Sequence, residues 1–225
     1  MNSKIIILLL IQIICINCYS QKFYLDANNK KITSKIFQKN WRDDKLNLYR
    51  WDYIKKDSGR VAKLCDNQFR FFKVNYDTIC KEIGSITKKK LPKNATIIIE
   101  FIHANDLCNS EENPNKWDRD KLNHRDLVSN EPRNNIKFNN SNNFYLVVFD
   151  KDIDADLYIT SIENFCVDKN NFFKNTFLQK PAFCGSYIAL KPDGYLLVRN
   201  GEFRADFFLS YLEPSVWCET FKGFE

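Results

Sequence analysis

Eight cysteines and one alternating run of aspartates are the residues of this 225-residue chain whose type and spacing bear on chemistry. A cysteine is a cross-link, a metal ligand or a nucleophile according to its compartment and thiol pKa. Cys15 and Cys18 form the one Cys-x-x-Cys, the spacing of a dithiol redox pair. They sit in an opening segment of a different character. Met1-Asn2-Ser3-Lys4 precedes an apolar stretch from Ile5 to Ile16, broken only by Gln12, and Asn17-Cys18-Tyr19-Ser20 follows. One positive charge, a short apolar run and small residues at its end are the layout of a secretory signal peptide. The run falls short of the roughly 20 apolar residues of a bilayer span. Cleavage after Ser20 removes the Cys-x-x-Cys with the signal. The expected product is secreted or periplasmic and is not held at a membrane. An uncleaved anchor and a lipidated Cys15 or Cys18 are the alternatives, although Ile14 and Asn17 stand where a lipoprotein signal has a small residue.

Six cysteines remain: Cys65, Cys80, Cys108, Cys166, Cys184 and Cys218. An even number in an exported chain points to disulfides, with about 15 connectivities open. A fully bridged domain predicts no titratable thiol. No two of the six lie close together, and only His103 and His124 accompany them, so no zinc spacing is present.

The aspartates are Asp150, Asp152, Asp154 and Asp156. With Asp152 at position 1 of a calcium loop, Asp154 and Asp156 fill positions 3 and 5, and Glu163 falls where a bidentate Glu belongs. Leu157 occupies the position at which the sharp turn needs Gly. The metal reading is therefore an irregular calcium site on Asp150, Asp152, Asp154, Asp156 and Glu163, not an EF-hand. The competing reading is a solvated loop at a strand end. Calcium is the one cofactor suggested.

Other activities find little support. The chain has no Gly-x-Ser-x-Gly, His-Glu-x-x-His or phosphate-cradling glycine loop. Removal of Lys4 lowers the net charge from +6 to +5, and the densest basic run is Lys88-Lys89-Lys90. That reads as a solvated helix end, so no nucleic-acid partner is expected. Trp117-Asp118-Arg119-Asp120 with His124-Arg125-Asp126 reads as an exposed, salt-bridged helix face. Asn94-Ala95-Thr96 and Asn139-Asn140-Ser141 match the glycosylation triplet.

The elements that position these residues fall into a signal over 1–20, a β/α extension over 21–93 and a more regular domain over 94–225. In the extension, Phe23 to Asp26 and Leu46 to Ile54 read as strands. Ile36, Phe37 and Trp41 mark a helix capped by Thr33 or Ser34, and Tyr76 to Ile86 marks another. In the domain, Thr96–Ile102 and Phe144–Phe149 are buried-type strands. A helix is expected from Trp117 to Val128, and a helical Phe cluster over Asn170 to Leu178. Tyr187–Leu190 and Tyr195–Val198 flank the tight turn Pro192-Asp193-Gly194, and Phe203–Leu212 closes the order as a helix. The expected fold class is α/β: a mixed sheet of order β-α-β-α-β-β-α with helices on both faces.

That order, with the hairpin Leu190-Lys191-Pro192-Asp193-Gly194-Tyr195 and Cys108 in the loop after Thr96–Ile102, resembles the thioredoxin-like fold over about residues 94–215. The whole chain also looks like small exported proteins of Bacteroidetes type, which adds no activity. The chain departs from the thioredoxin pattern at two places. Asn109, Ser110 and Glu111 follow Cys108, so no second cysteine completes the redox motif, and the family's cis-proline slot falls near Gly185 or Ser186. The resemblance implies that the loops carrying Cys108 and Cys184 lie side by side. The pair is then either a static disulfide in a non-catalytic binding or structural domain with a protein partner, or the reactive pair of a thiol–disulfide oxidoreductase or peroxidase-like enzyme. A reactive pair needs a lowered thiol pKa. No Lys, Arg or His lies within three residues of Cys108. His103 either folds back to it or is a strand-end histidine with an ordinary hydrogen bond.

Overall fold

A computed structural model describes residues 23–56, 59–108, 113–125, 142–157 and 165–222. The signal segment, Glu163 and the triplet at Asn139 lie outside the described residues. Backbone contacts divide the chain after Asp66 into two compact units.

The first unit contains β1 (Phe23–Leu25), β2 (Lys31–Ile32), α1 (Ser34–Trp41), β3 (Leu48–Lys55) and β4 (Gly59–Asp66), with sheet order β2-β1-β4-β3. The β1–β2 turn is built by Asp26, whose Oδ1 accepts the amides of Asn28 and Lys30 at 3.0 and 2.8 Å. Thr33 caps α1 by accepting the Ile36 amide at 3.3 Å, which satisfies one of the unpaired donors of a helix start. Phe37 then packs on Ala62 and Leu64. Sequence reasoning assigns no element to β4, because Val61-Ala62 and Leu64-Cys65 break the period-2 signal. All eight of its residues pair with β3. At their centre the buried Asp52 takes both Arg50 and Arg60, so these strand carboxylate and guanidinium groups satisfy one another.

The second unit begins with β5 (Phe69–Lys73) and α2 (Tyr76–Thr87), followed by β6 (Thr96–Ile102), β7 (Lys116–Trp117) and the helical residues 119–125 (α3). It continues with β8 (Asn143–Asp150), β9 (Asp154–Ala155), β10 (Phe165–Asp168), α4 (Phe172–Thr176), β11 (Ser186–Leu190), β12 (Tyr195–Asn200), α5 (Ala205–Ser210) and α6 (Pro214–Thr220). Six strands form one mixed sheet in the order β10-β8-β6-β11-β12-β5. β10, β8 and β6 run parallel, and β11, β12 and β5 follow antiparallel. The α/β class and the mixed sheet expected from the sequence are present. The sequence reading ends the extension at residue 93, whereas β5 pairs with β12 and α2 packs on the large sheet. The β12 partners of β5 lie 122 to 130 residues further along the chain, which local patterning does not reveal.

The apolar strand run is buried on both faces. Ile97, Ile99 and Phe101 face Ile79 and Ile83 of α2 and Phe173 of α4. Ile98, Tyr187, Ala189 and Leu197 face Phe208 of α5 and Trp217 of α6. Each large side chain taken fully from water here contributes about 1.5–3 kcal/mol. α4 is short, and the buried Asp168 holds its start by accepting the amides of Phe172 and Phe173 at 2.7 and 2.9 Å. The β11–β12 turn falls at Pro192-Asp193-Gly194 as expected. Gly194 has φ +86° there, and a Cβ would collide with the Val74 carbonyl. Among the described residues, no helix is long and apolar enough to cross a membrane.

Candidate functional site

The site is built at the C-terminal end of β6, where the sequence changes from apolar to polar. Glu100 is the single charged residue in that strand. A carboxylate in a buried strand needs a partner. Glu100 Oε2 accepts from Arg125 Nη2 of α3 and from the Tyr145 hydroxyl of β8, both at 2.5 Å. Burial, then the charge of Glu100, holds the Tyr145 hydroxyl well above its ordinary pKa, and the Tyr187 hydroxyl is raised for the same two reasons. Of the expected exposed face, Asp118, Arg119, Asp120 and His124 are exposed, and two residues depart from it. Arg125 is turned into the protein, and Trp117 is buried against Ile102, Leu122 and Phe149. Helical spacing gives a face its period but does not say which face is covered. The lone Glu in Thr-Ile-Ile-Ile-Glu-Phe-Ile was the available signal that a buried cation had to come from elsewhere.

His103 follows β6 and is 1% exposed. Its Nε2 lies 2.9 Å from Ser186 Oγ, which donates to Asn200 Oδ1 at 2.9 Å, while Asn200 Nδ2 donates to the Asn67 carbonyl at 3.1 Å. This chain ties together the ends of β6, β11 and β12. It makes His103 the strand-end histidine with an ordinary hydrogen bond, and not a base on Cys108. Burial lowers its pKa to about 4, with Asp150 opposing that shift and Lys174 adding to it, so the ring is neutral.

Cys108 and Cys184 form a disulfide with a Cα–Cα distance of 4.9 Å, across 76 residues of sequence. Asp106 holds both sides of it. Its Oδ1 accepts the amides of Cys108 at 3.0 Å and Cys184 at 3.1 Å, and its Oδ2 accepts the amide of Gly185 at 3.1 Å. Cys184 and Gly185 have φ of +62° and +82°. With this backbone the amides of both residues point to the one carboxylate of Asp106. A Cβ on Gly185 would stand 2.9 Å from the Phe101 carbonyl, so glycine is required for this loop to reach β6. Full disulfide pairing is also corrected. Cys65, Cys80, Cys166 and Cys218 are thiols. Cys166 of β10 is buried in the core on the α2 face, and Cys218 of α6 is exposed on the other side of the sheet. Burial pushes the Cys166 thiol up to about 12 and also raises that of Cys80. The raised pKa makes each a poorer nucleophile than an ordinary cysteine.

The aspartate run is not gathered into one site. Asp150 is buried and accepts from Lys174 Nζ at 2.8 Å. Asp152, Asp154 and Asp156 are exposed, with the buried Ile153 among them. The amides of Asp154 and Asp156 bond the Asn115 and Trp117 carbonyls, which sets this segment beside β7. Among the described residues, no group of three or more His, Cys, Asp or Glu side chains could hold a metal ion.

Glu100, His103, Cys108, Cys184, Trp117 and Arg125 all line one cavity of about 190 Å³. It combines a disulfide, an ion pair, a neutral imidazole and aromatic walls. Compared with known proteins, the chain matches no family model, no curated protein and no solved structure.

Proposed function

We propose that this chain is an exported, non-catalytic binding domain of thioredoxin-like build, in which the Cys108–Cys184 disulfide is a static strut beside the binding cavity. The observation that carries the reading is the seat of Asp106. One carboxylate binds the amides on both sides of the bridge. A redox pair needs a stabilised thiolate, supplied by a cation or a helix N-terminus. Here the group bonded to both cysteine amides is an anion, which disfavours a thiolate. The build is supported by the parallel pair β6–β8 and by the antiparallel β11–β12 hairpin, and export by the opening segment of the sequence.

A second reading, a thiol–disulfide oxidoreductase or peroxidase-like enzyme using Cys108 and Cys184, is favoured by one observation. The disulfide lines a cavity that Lys121 and Arg125 also line. Glu100 takes up the charge of Arg125, which weakens that support. Insulin and peroxide reduction assays separate the two readings. The strut reading expects no turnover above that of Cys108→Ser. Turnover that disappears in Cys108→Ser overturns it.

A further inference from the structure

Six cysteines follow the signal, and six can pair in about 15 ways. Among the described residues one pair is bridged and the other four are thiols. The thiols sit in regular elements: Cys65 in β4, Cys166 in β10, Cys80 in α2 and Cys218 in α6. Each has its backbone fixed by its own strand or helix. Cys108 and Cys184 lie in loops, beyond the point where the β6–β11 ladder ends at Phe101 and Ser186. Holding these two together takes more than the ladder itself.

Asp106 supplies the hold from the Cys108 side. Its Oδ1 accepts the Cys108 amide at 3.0 Å, which folds that loop back locally. The same oxygen accepts the Cys184 amide at 3.1 Å, and Oδ2 accepts the Gly185 amide at 3.1 Å. The Cys184 loop has its own anchor, since the Gly185 carbonyl accepts the Gly201 amide at 3.0 Å, just past the end of β12. One acceptor shared by both cysteine amides leaves the two backbones little freedom to part. None of these bonds involves sulfur, so none depends on the bridge. The Cα separation of 4.9 Å lies in the range that a disulfide spans.

We propose that Asp106 determines which cysteines pair: it templates the Cys108–Cys184 bridge and so selects it over the other connectivities. The oxidant is oxidised glutathione, and bridging takes two exchanges. One of the two cysteine thiolates attacks a glutathione sulfur, the glutathione S–S bond breaks, and one glutathione thiolate leaves. The other cysteine thiolate then attacks the protein sulfur of that mixed disulfide, its S–S bond breaks, and the second glutathione thiolate leaves. Two electrons pass to glutathione, and the two thiol protons end on its sulfurs. Asp106 neither gives nor takes a proton. It acts on the second exchange, which is intramolecular and draws on the effective concentration that the two loops hold. Asp106 is thus a positioning residue. This inference rests on the reading of the bridge as a strut.

The test is the bridging equilibrium of the full chain and of Asp106→Asn in glutathione buffers, with every bridge mapped by alkylation and mass spectrometry. Asp106→Asn is expected to lower the effective concentration of the Cys108–Cys184 pair at least tenfold, a midpoint raised by about 30 mV. On refolding from the reduced state, it is expected to raise at least fivefold the share of bridges joining Cys108 or Cys184 to another cysteine. A smaller change in either quantity overturns the inference. If the variant does not fold, amide exchange in the wild type decides. With the bridge reduced, the Cys184 and Gly185 amides are expected to exchange no more than tenfold faster than in the oxidised protein. Faster exchange shows that the loops part without the bridge, which overturns the inference. Insulin turnover overturns the strut reading whatever Asp106→Asn does, whereas an unchanged equilibrium without turnover removes the template alone.

Discussion

Asp106 Oδ1 accepts the backbone amide of Cys184 at 3.1 Å from 78 residues away in sequence. That bond and the disulfide run in parallel between the same two loops. One is covalent and redox-dependent, the other electrostatic and indifferent to oxidation state. In Asp106→Asn, one acceptor oxygen becomes a donor facing the Gly185 amide. Hydrogen bonds to a charged group contribute about 1.5–3 kcal/mol each. The variant is expected to lose about 2–3 kcal/mol in urea unfolding of the oxidised protein. Cys108→Ala with Cys184→Ala should lose about 3–4 kcal/mol, from the entropy of an opened long loop. A neutral result for Asp106→Asn would contradict its role as a clamp.

The Glu100–Arg125 pair predicts an asymmetry. Removing one partner of a buried ion pair leaves a stranded charge and costs about 3–5 kcal/mol. Arg125→Met should therefore destabilise the protein by about that amount. Glu100→Gln combined with Arg125→Met should recover at least half of it, because no charge is then stranded. Chemical denaturation of the two variants checks this, and equal losses would show that Arg125 acts through packing alone.

The pH dependence of stability follows from His103. Its pKa is lowered to about 4 by burial in the folded state, against about 6.5 in the unfolded chain. Between these values the unfolded state binds a proton that the folded state does not. The His103 contribution is fully present above about pH 6.5 and is lost as pH falls towards about 4, by about 3 kcal/mol in all. His103→Asn should flatten that part of the stability profile. An unchanged slope between pH 7 and 4 would show that His103 is not the group responsible.

The thiols should separate by exposure. Cys218 is exposed, Cys80 half-buried, and Cys166 and Cys65 buried. With an alkylating reagent at neutral pH, native oxidised protein should label at Cys218 first and at Cys80 more slowly. Cys166 and Cys65 should label only on unfolding, since burial also raises the Cys166 pKa. Peptide mapping by mass spectrometry reads the order, and early labelling of Cys166 would contradict the core packing.

Much of this fold is legible locally. The Ile-rich run of β6 and the Phe-Tyr-Leu-Val-Val-Phe of β8 announce buried strands, and Pro192-Asp193-Gly194 announces its turn. β4 and β10 are not legible, because their hydrophobic pattern is short or interrupted and pairing alone makes them strands. The two cysteines could be named in advance, but Asp106 could not. Its role depends on Cys184 and Gly185 adopting left-handed backbone in a loop 78 residues later. Arg125 was hidden by its own helix, whose charged residues look alike until Glu100 of β6 selects one.

The central claim is that Cys108–Cys184 is a strut held by Asp106, and its reduction potential tests this most directly. Oxidised protein is equilibrated in glutathione and dithiothreitol buffers of graded potential, and the bridge is quantified by alkylation and mass spectrometry. A midpoint below about −300 mV is expected, in the range of structural disulfides. A midpoint near about −200 mV, where glutathione reduces the bridge, would contradict it.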